Sequence, residues 1–169
     1  MLNKLWKKFR GSFDNNDIIE INSPVEGNTV SIKTVSDPTF RDETLGKSAA
    51  IIPTVGKLVS PADGEVTAVF KTGHAVCINA QNGPELLMHI GLDTVQLKGE
   101  HFTIHCAKGD HVKKGDLLIE FDINGIKAAG YDIVTPMIVC NSAEYSEIEA
   151  VTETQVTPND TVLRLTKAK

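Results

Sequence analysis

A chain of 169 residues with 41% hydrophobic and 23% charged side chains has the make-up of one globular domain, long enough to withdraw about two-thirds of its surface from water. Its net charge of −5 argues against the basic face that nucleic-acid binding needs, so no nucleic-acid partner is expected. No run approaches the ~20 apolar residues that span a bilayer, and Cys77, Cys106 and Cys140 form no CxxC pair, which speaks for buried thiols in a reducing, cytoplasmic setting rather than a disulfide framework.

The chain begins with a basic arm. Residues 1–13 hold Lys4, Lys7, Lys8 and Arg10 and no acid. As a helix they would place Leu2, Leu5, Trp6, Phe9 and Phe13 on one side and the four bases on the other. Such a segment suits contact with an anionic membrane surface, and it lacks the uninterrupted apolar core of a signal peptide. GSFDNND (11–17) then reads as a polar linker, so the chain divides into an arm and linker over 1–17 and one domain over 18–169.

From Ile18 onward the pattern is β. DIIEI, NTVSIKTV, GEVTAVF, HAVCINA, ELLMHIG, DLLIEF, PMIVCN and TVLRL are short strand-like runs separated by Gly, Asp, Asn and Pro. SPVEG (23–27) and SPADG (60–64) are near copies, each leading into a strand, and are candidates for the starts of two related halves. GDHVKKGDLLIEFD (109–122) has the turn–strand cadence of biotinyl and lipoyl carriers. Helical turns are expected only near 40–46 and 124–131. The expected fold is an all-β barrel or sandwich of many short antiparallel strands.

Chemistry concentrates in GPELLMHIGLDTV (83–95). Period-2 alternation sends Leu86, Met88 and Ile90 to one face and Leu87 and His89 to the other. Gly91 would leave room for another molecule to come close. A hairpin through AQNGP sets the strands at 74–79 and 84–90 antiparallel and places position 74 opposite position 89, bringing His74 beside His89. Two adjacent imidazoles support two chemistries: a nitrogen nucleophile carrying a phosphoryl group, assisted by its neighbour, or zinc ligation completed from elsewhere. No GxxxxGK[ST] loop is present, so a phosphoryl donor would be another protein rather than bound ATP. His101 and His105 in HFTIH lack the Glu of HExxH and lie among β-formers, against a metal helix. His111 reads as solvated.

GPELLMHIGLDTV resembles the signature of the glucose-type IIA proteins of the bacterial phosphoenolpyruvate-dependent sugar phosphotransferase system: glycine, two free positions, three hydrophobics, His, hydrophobic, Gly, hydrophobic, any residue, Thr and a small aliphatic. SPVEG, the Asp37…Phe40 segment, SPADG, FKTGHA, LKGEHF, VKKGDLLIEFD and TPMIVCN follow in order, so the resemblance covers roughly residues 20–166. It implies a β-sandwich of the duplicated-hybrid-motif kind and a phosphotransferase component with a phosphohistidine intermediate. His89 would take the phosphoryl group on Nε2, His74 would stabilise it, and Thr72 would orient His74. Phe40, Phe70, Leu87 and Val95 would belong to the apolar partner surface, with Asp37 and Asp93 facing a basic rim. The donor would be the phosphorylated histidine-containing carrier protein and the acceptor a cysteine of a sugar-specific IIB domain. No cofactor is required, although a partner-completed or adventitious zinc at His74 and His89 is compatible with the pair.

Two departures from the resemblance stand out. The family often has a Gly-rich segment where this chain reads LGKSAAIIP (45–53), and position 87, often aromatic in relatives, is Leu. The competing reading is a zinc-dependent peptidase of the lysostaphin-like class, which uses strand histidines but needs HxH and three ligands. A lipoyl or biotinyl carrier would need a Lys at a hairpin tip that FDINGIK does not supply.

Overall fold

A computed structural model describes residues 17–169. The basic arm and nearly all of the linker lie outside the described residues. The predicted runs become strands β1 (Ile18–Asn22), β2 (Gly27–Val30), β3 (Lys47–Pro53), β4 (Lys57–Val59), β5 (Gly64–Val69), β6 (Ala75–Ala80) and β7 (Glu85–His89). They continue as β8 (Phe102–Ile104), β9 (His111–Val112), β10 (Leu117–Phe121), β11 (Thr135–Val139), β12 (Tyr145–Ala150), β13 (Gln155–Val156) and β14 (Thr161–Lys167). Short helices α1 (Pro38–Arg41) and α2 (Ile123–Ala128) stand close to the two expected turns. The expected all-β sandwich is the observed class.

The two near copies are structural equivalents. The large sheet runs β13-β2-β3-β11-β7-β6-β5-β9, flanked by β1-β14-β12 and β4-β10-β8, so each strand of one half has a counterpart in the other about the β11–β7 seam. Gly27 pairs with Val156 as Gly64 pairs with Val112. The buried Ser23 hydroxyl donates to the Val25 carbonyl (2.6 Å), and Ser60 does the same to Ala62 (2.7 Å). The copies also touch: the Val59 N–H donates to Pro24 and the Asn22 N–H to Pro61. At the seam Met88 pairs with Met137, both fully buried. On that match Ile138 occupies the position corresponding to His89, so only one half carries the histidine.

The core lies between the sheets and is aliphatic, as expected. Val76, Ile78, Leu86, Met88, Met137 and Val139 fill it from the inner face of the large sheet. Burial of each such side chain contributes roughly 1.5–3 kcal/mol. A second, smaller cluster sits on the outer face, where Ile32, Val35, Phe40, Leu92 and Val134 cover Ala50 and Ile138.

That outer cluster corrects one expectation and fills in a segment that the resemblance left open. NTVSIKTV is not one strand: β2 stops at Val30, and Ile32–Thr34 forms a 3-10 turn whose Ser31 side chain accepts from the Lys33 N–H. Within LGKSAAIIP, where relatives often have a Gly-rich segment, Lys47–Pro53 is β3, paired along both edges with β2 and β11. Its small Ala49 and Ala50 are buried on either face, which lets the segment 32–41 lie close over the sheet. Helix α1 begins there because Asp37 accepts from the Thr39 N–H (2.9 Å) and Pro38 presets the first turn.

A Cβ placed on Gly27 would overlap the Ile52 carbonyl, and one on Gly64 the Asn79 carbonyl. Gly27→Ala and Gly64→Ala should therefore each lower the unfolding free energy by about 2 kcal/mol or more, read by urea denaturation. A loss at one position only would contradict the equivalence of the halves.

Candidate functional site

His89 ends β7, and the strand alternates as expected: Leu86, Met88 and Ile90 are buried at 1% exposure or less, while Leu87 and His89 share the outer face. The register differs from the expected one by one residue. Ala75, not His74, lies opposite His89. His74 sits in the bend before β6, after Gly73 at φ +72, where strand alternation no longer dictates side-chain direction. Its ring therefore meets His89 all the same, with centroids 5.0 Å apart and planes at 77°. The Ile90 N–H donates to the His74 carbonyl at 2.7 Å, which ties the two backbones together.

Hydrogen bonding assigns the nitrogens. Nδ1 of His89 lies 2.7 Å from the Gly91 carbonyl oxygen, which only accepts. Nδ1 therefore carries the proton, and the lone pair of the neutral ring is on Nε2. Nδ1 of His74 lies 2.5 Å from the Thr72 hydroxyl. With that hydroxyl donating, the His74 proton sits on Nε2, where it can serve as a donor. The predicted trio of His89, His74 and Thr72 is thus brought together.

Gly91 has a different part from the one expected. It is buried, at φ +77, and a Cβ there would strike Thr94 and the Asp132 carbonyl. Its lack of a side chain serves an internal left-handed turn and not the approach of a partner. The Gly91 and Leu92 N–H groups donate to the carbonyls of Val134 and Asp132, both at 3.0 Å. The sequence reading missed this 130–134 support, because backbone acceptors leave no side-chain signature.

Burial and mutual repulsion keep the pair neutral. His74 is only 5% exposed; desolvation first, then proximity to His89, lowers its pKa from 6.5 to about 4. His89 is also held below its ordinary value by burial, against the opposing pull of the Gly91 hydrogen bond and the Asp37 and Asp93 carboxylates.

The predicted surroundings are mixed in exposure. Phe40 is buried with its ring 4.9 Å from His89, tilted by 52°. Leu87 is half-buried against the outer cluster. Phe70 and Val95 are the open apolar groups, at 44% and 46% exposure, and Phe70 stands 5.4 Å from the His74 ring. Asp93 is exposed and starts the 3-10 turn Thr94–Leu97 in a left-handed conformation (φ 57). Asp37 is half-exposed and already caps α1.

Elsewhere, His101 faces Glu100 and Asp122 (3.8 Å each) and His105 faces Glu120 (3.7 Å). His111 is exposed at the start of β9. The cysteines are not the core residues expected: Cys77 and Cys106 are half-buried and Cys140 is exposed. Cys77 points to the outer face opposite Leu87, and Cys140 follows the last residue of β11. Among the described residues no group of three or more His, Cys, Asp or Glu could hold a metal ion, so the three ligands of a zinc peptidase are not assembled there. No helix among them is long and apolar enough to cross a membrane.

The described residues thus form an antiparallel two-halved β-sandwich that carries a close pair of imidazoles, His74 buried and His89 partly exposed, on the outer face of its large sheet. The chain matches the family described as "phosphoenolpyruvate-dependent sugar phosphotransferase system, EIIA 1" over residues 19–145, and it belongs to that family. It is therefore a phosphotransferase-system component. It is 49% identical over 148 residues to a beta-glucoside-specific EIIBCA component of Halalkalibacterium halodurans, covering 88% of this chain and 23% of that protein. The chain thus spans about a quarter of such relatives. It is also 41% identical over 142 residues to a glucose-specific EIIA component of Oceanobacillus iheyensis, covering 84% of this chain and 86% of that one. Glucose permease IIA from Mycoplasma capricolum superposes with a TM-score of 0.82 at 29% identity, over 90% of this chain and 99% of that one.

Histidine titration by NMR should give midpoints below 6.5 for both rings, with His74 near 4. Between about 6.5 and 4 the unfolded chain binds protons that the folded chain does not, so stability should fall as pH drops through that window. His74→Gln should flatten the slope there; an unchanged slope would contradict the assignment.

Proposed function

We propose that this chain is a phosphoryl carrier of the sugar phosphotransferase system, with His89 as the residue that takes the phosphoryl group. The observation that carries the reading is the His89 ring: Nδ1 is held by the Gly91 carbonyl at 2.7 Å and the neutral Nε2 is left to act as nucleophile. In the step, the Nε2–P bond forms as the bond from phosphorus to the donor's nitrogen breaks, and that nitrogen keeps the electron pair. Transfer of this kind is mostly positioning and charge stabilisation. His74, neutral and oriented by Thr72, would donate from Nε2 to a phosphoryl oxygen. A phosphoryl dianion would be repelled by carboxylates, so Asp37 and Asp93 serve docking, and Phe70, Val95, Leu87 and Phe40 form the apolar ground around the reacting nitrogen.

The donor in this reading is the phosphorylated histidine-containing carrier protein, and the acceptor is a cysteine of a sugar-specific IIB domain. The acceptor is supported by relatives whose names join IIB, IIC and IIA components in one protein. The chain works at the cytoplasmic face without a cofactor of its own. Zinc at His74 and His89 would need a further ligand from a partner. Residues 1–13 contact anionic membrane from that side. Co-sedimentation with phosphatidylglycerol vesicles should fall on deletion of residues 1–13, and unchanged co-sedimentation would refute the contact.

Incubation with the phosphorylated carrier should give an acid-labile, base-stable adduct. His89→Ala should abolish it, while His74→Ala should still take phosphate and pass it on at least tenfold more slowly, roughly the effect of losing one transition-state donor. Normal labelling of the His89 variant would end this reading.

A further inference from the structure

The turn that follows His89 is held by backbone carbonyls of the 130–134 loop on one side and by two side chains, the Thr94 hydroxyl and the His89 ring itself, on the other. Two consecutive peptide planes are involved. In the first, the Gly91 N–H donates to Val134 (3.0 Å) and the Ile90 carbonyl accepts from the Thr94 hydroxyl (2.5 Å). In the second, the Leu92 N–H donates to Asp132 (3.0 Å) and the Gly91 carbonyl accepts from Nδ1 of His89 (2.7 Å). Thr94 is fully buried, and its Cγ2 methyl packs where Gly91 lacks a Cβ. For shape alone a valine would serve there, since it matches threonine in size and branching. The hydroxyl has a partner that ordinary packing does not call for.

We infer that Thr94 is a positioning residue for phosphoryl acceptance: its hydroxyl fixes the Ile90 peptide plane, and through it the Gly91 carbonyl that keeps the His89 proton on Nδ1. Without that bond the glycine turn loses one of its four restraints. The Gly91 carbonyl then swings, and the His89 proton distributes between both nitrogens. A ring with its proton on Nε2 offers no lone pair there and cannot attack phosphorus, so the fraction of competent molecules falls. The kinetic consequence rests on the phosphoryl-carrier reading; the tautomer does not.

The test compares Thr94→Val, which removes the hydroxyl at constant shape, with Thr94→Ser, which keeps the hydroxyl and removes the methyl. In the unphosphorylated protein, ¹⁵N shifts of the His89 imidazole should report a single Nδ1–H tautomer for the wild type and for Thr94→Ser, and a mixture for Thr94→Val. Phosphorylation by the phosphorylated carrier should slow roughly tenfold or more in Thr94→Val, with Thr94→Ser within about threefold of wild type. Wild-type tautomer and rate in Thr94→Val would overturn the inference. So would a Thr94→Ser variant with a mixed tautomer, since packing and not the hydroxyl would then matter; this second arm stands even should the valine variant not fold. If wild-type protein took no phosphate, the carrier reading would fail, while the imidazole shifts would still decide the role of Thr94.

Discussion

The Gly91 carbonyl oxygen is the acceptor on which the site's chemistry turns. An imidazole left to itself exchanges its proton between two nitrogens, and only one arrangement presents a lone pair outward. Holding Nδ1 at 2.7 Å from a carbonyl selects that arrangement before any partner arrives. The selection requires a turn that only glycine adopts readily at φ +77, supported from behind by the 130–134 loop. The tight curl after β7, the strand order that brings β11 beside β7, and the bend at Gly73 are all conditions for this one contact.

The second condition is charge. Two imidazoles with centroids 5.0 Å apart repel one another if both are protonated, and burial adds to the cost of charging either. The pair is thereby kept neutral at physiological pH, which is the state a nitrogen nucleophile needs. Carboxylates at the edge pull the other way without reversing it. The fold thus separates two tasks: a largely buried, neutral pair at the centre and charged, exposed groups such as Asp93 at the rim.

The near-twofold build does not duplicate the imidazole pair. Both halves present the same glycine, the same buried serine and the same strand pairings, yet Ile138 stands where His89 would recur. That isoleucine lies beneath the outer cluster with Phe40, whose ring in turn leans on His89. The half that begins at SPVEG has become the floor and wall of the site in the half that begins at SPADG. Leu87, beside Cys77 on the same face, keeps that wall aliphatic and leaves Phe70 and Val95 as its prominent apolar groups.

Strand-like alternation and the turn residues between runs were enough to determine an all-β chain, the SPVEG and SPADG copies suggested its two halves, and the likeness of GPELLMHIGLDTV to a family signature pointed to His89. These features are local: strand period and turn chemistry act over a few residues, so one stretch of sequence carries them whole. The spacing across AQNGP also pointed to His74, although the pairing is shifted by one residue and the rings meet because Gly73 releases His74 from strand alternation. Folding alone decided that 47–53 is a strand between two others, because its pairing partners are distant in the chain. It likewise decided that Gly91 serves an internal turn and not a partner's approach, and that the tautomer of His89 depends on loop 130–134. Those outcomes depend on carbonyl groups, which every residue has, and their direction is set by packing between segments some forty residues apart in sequence.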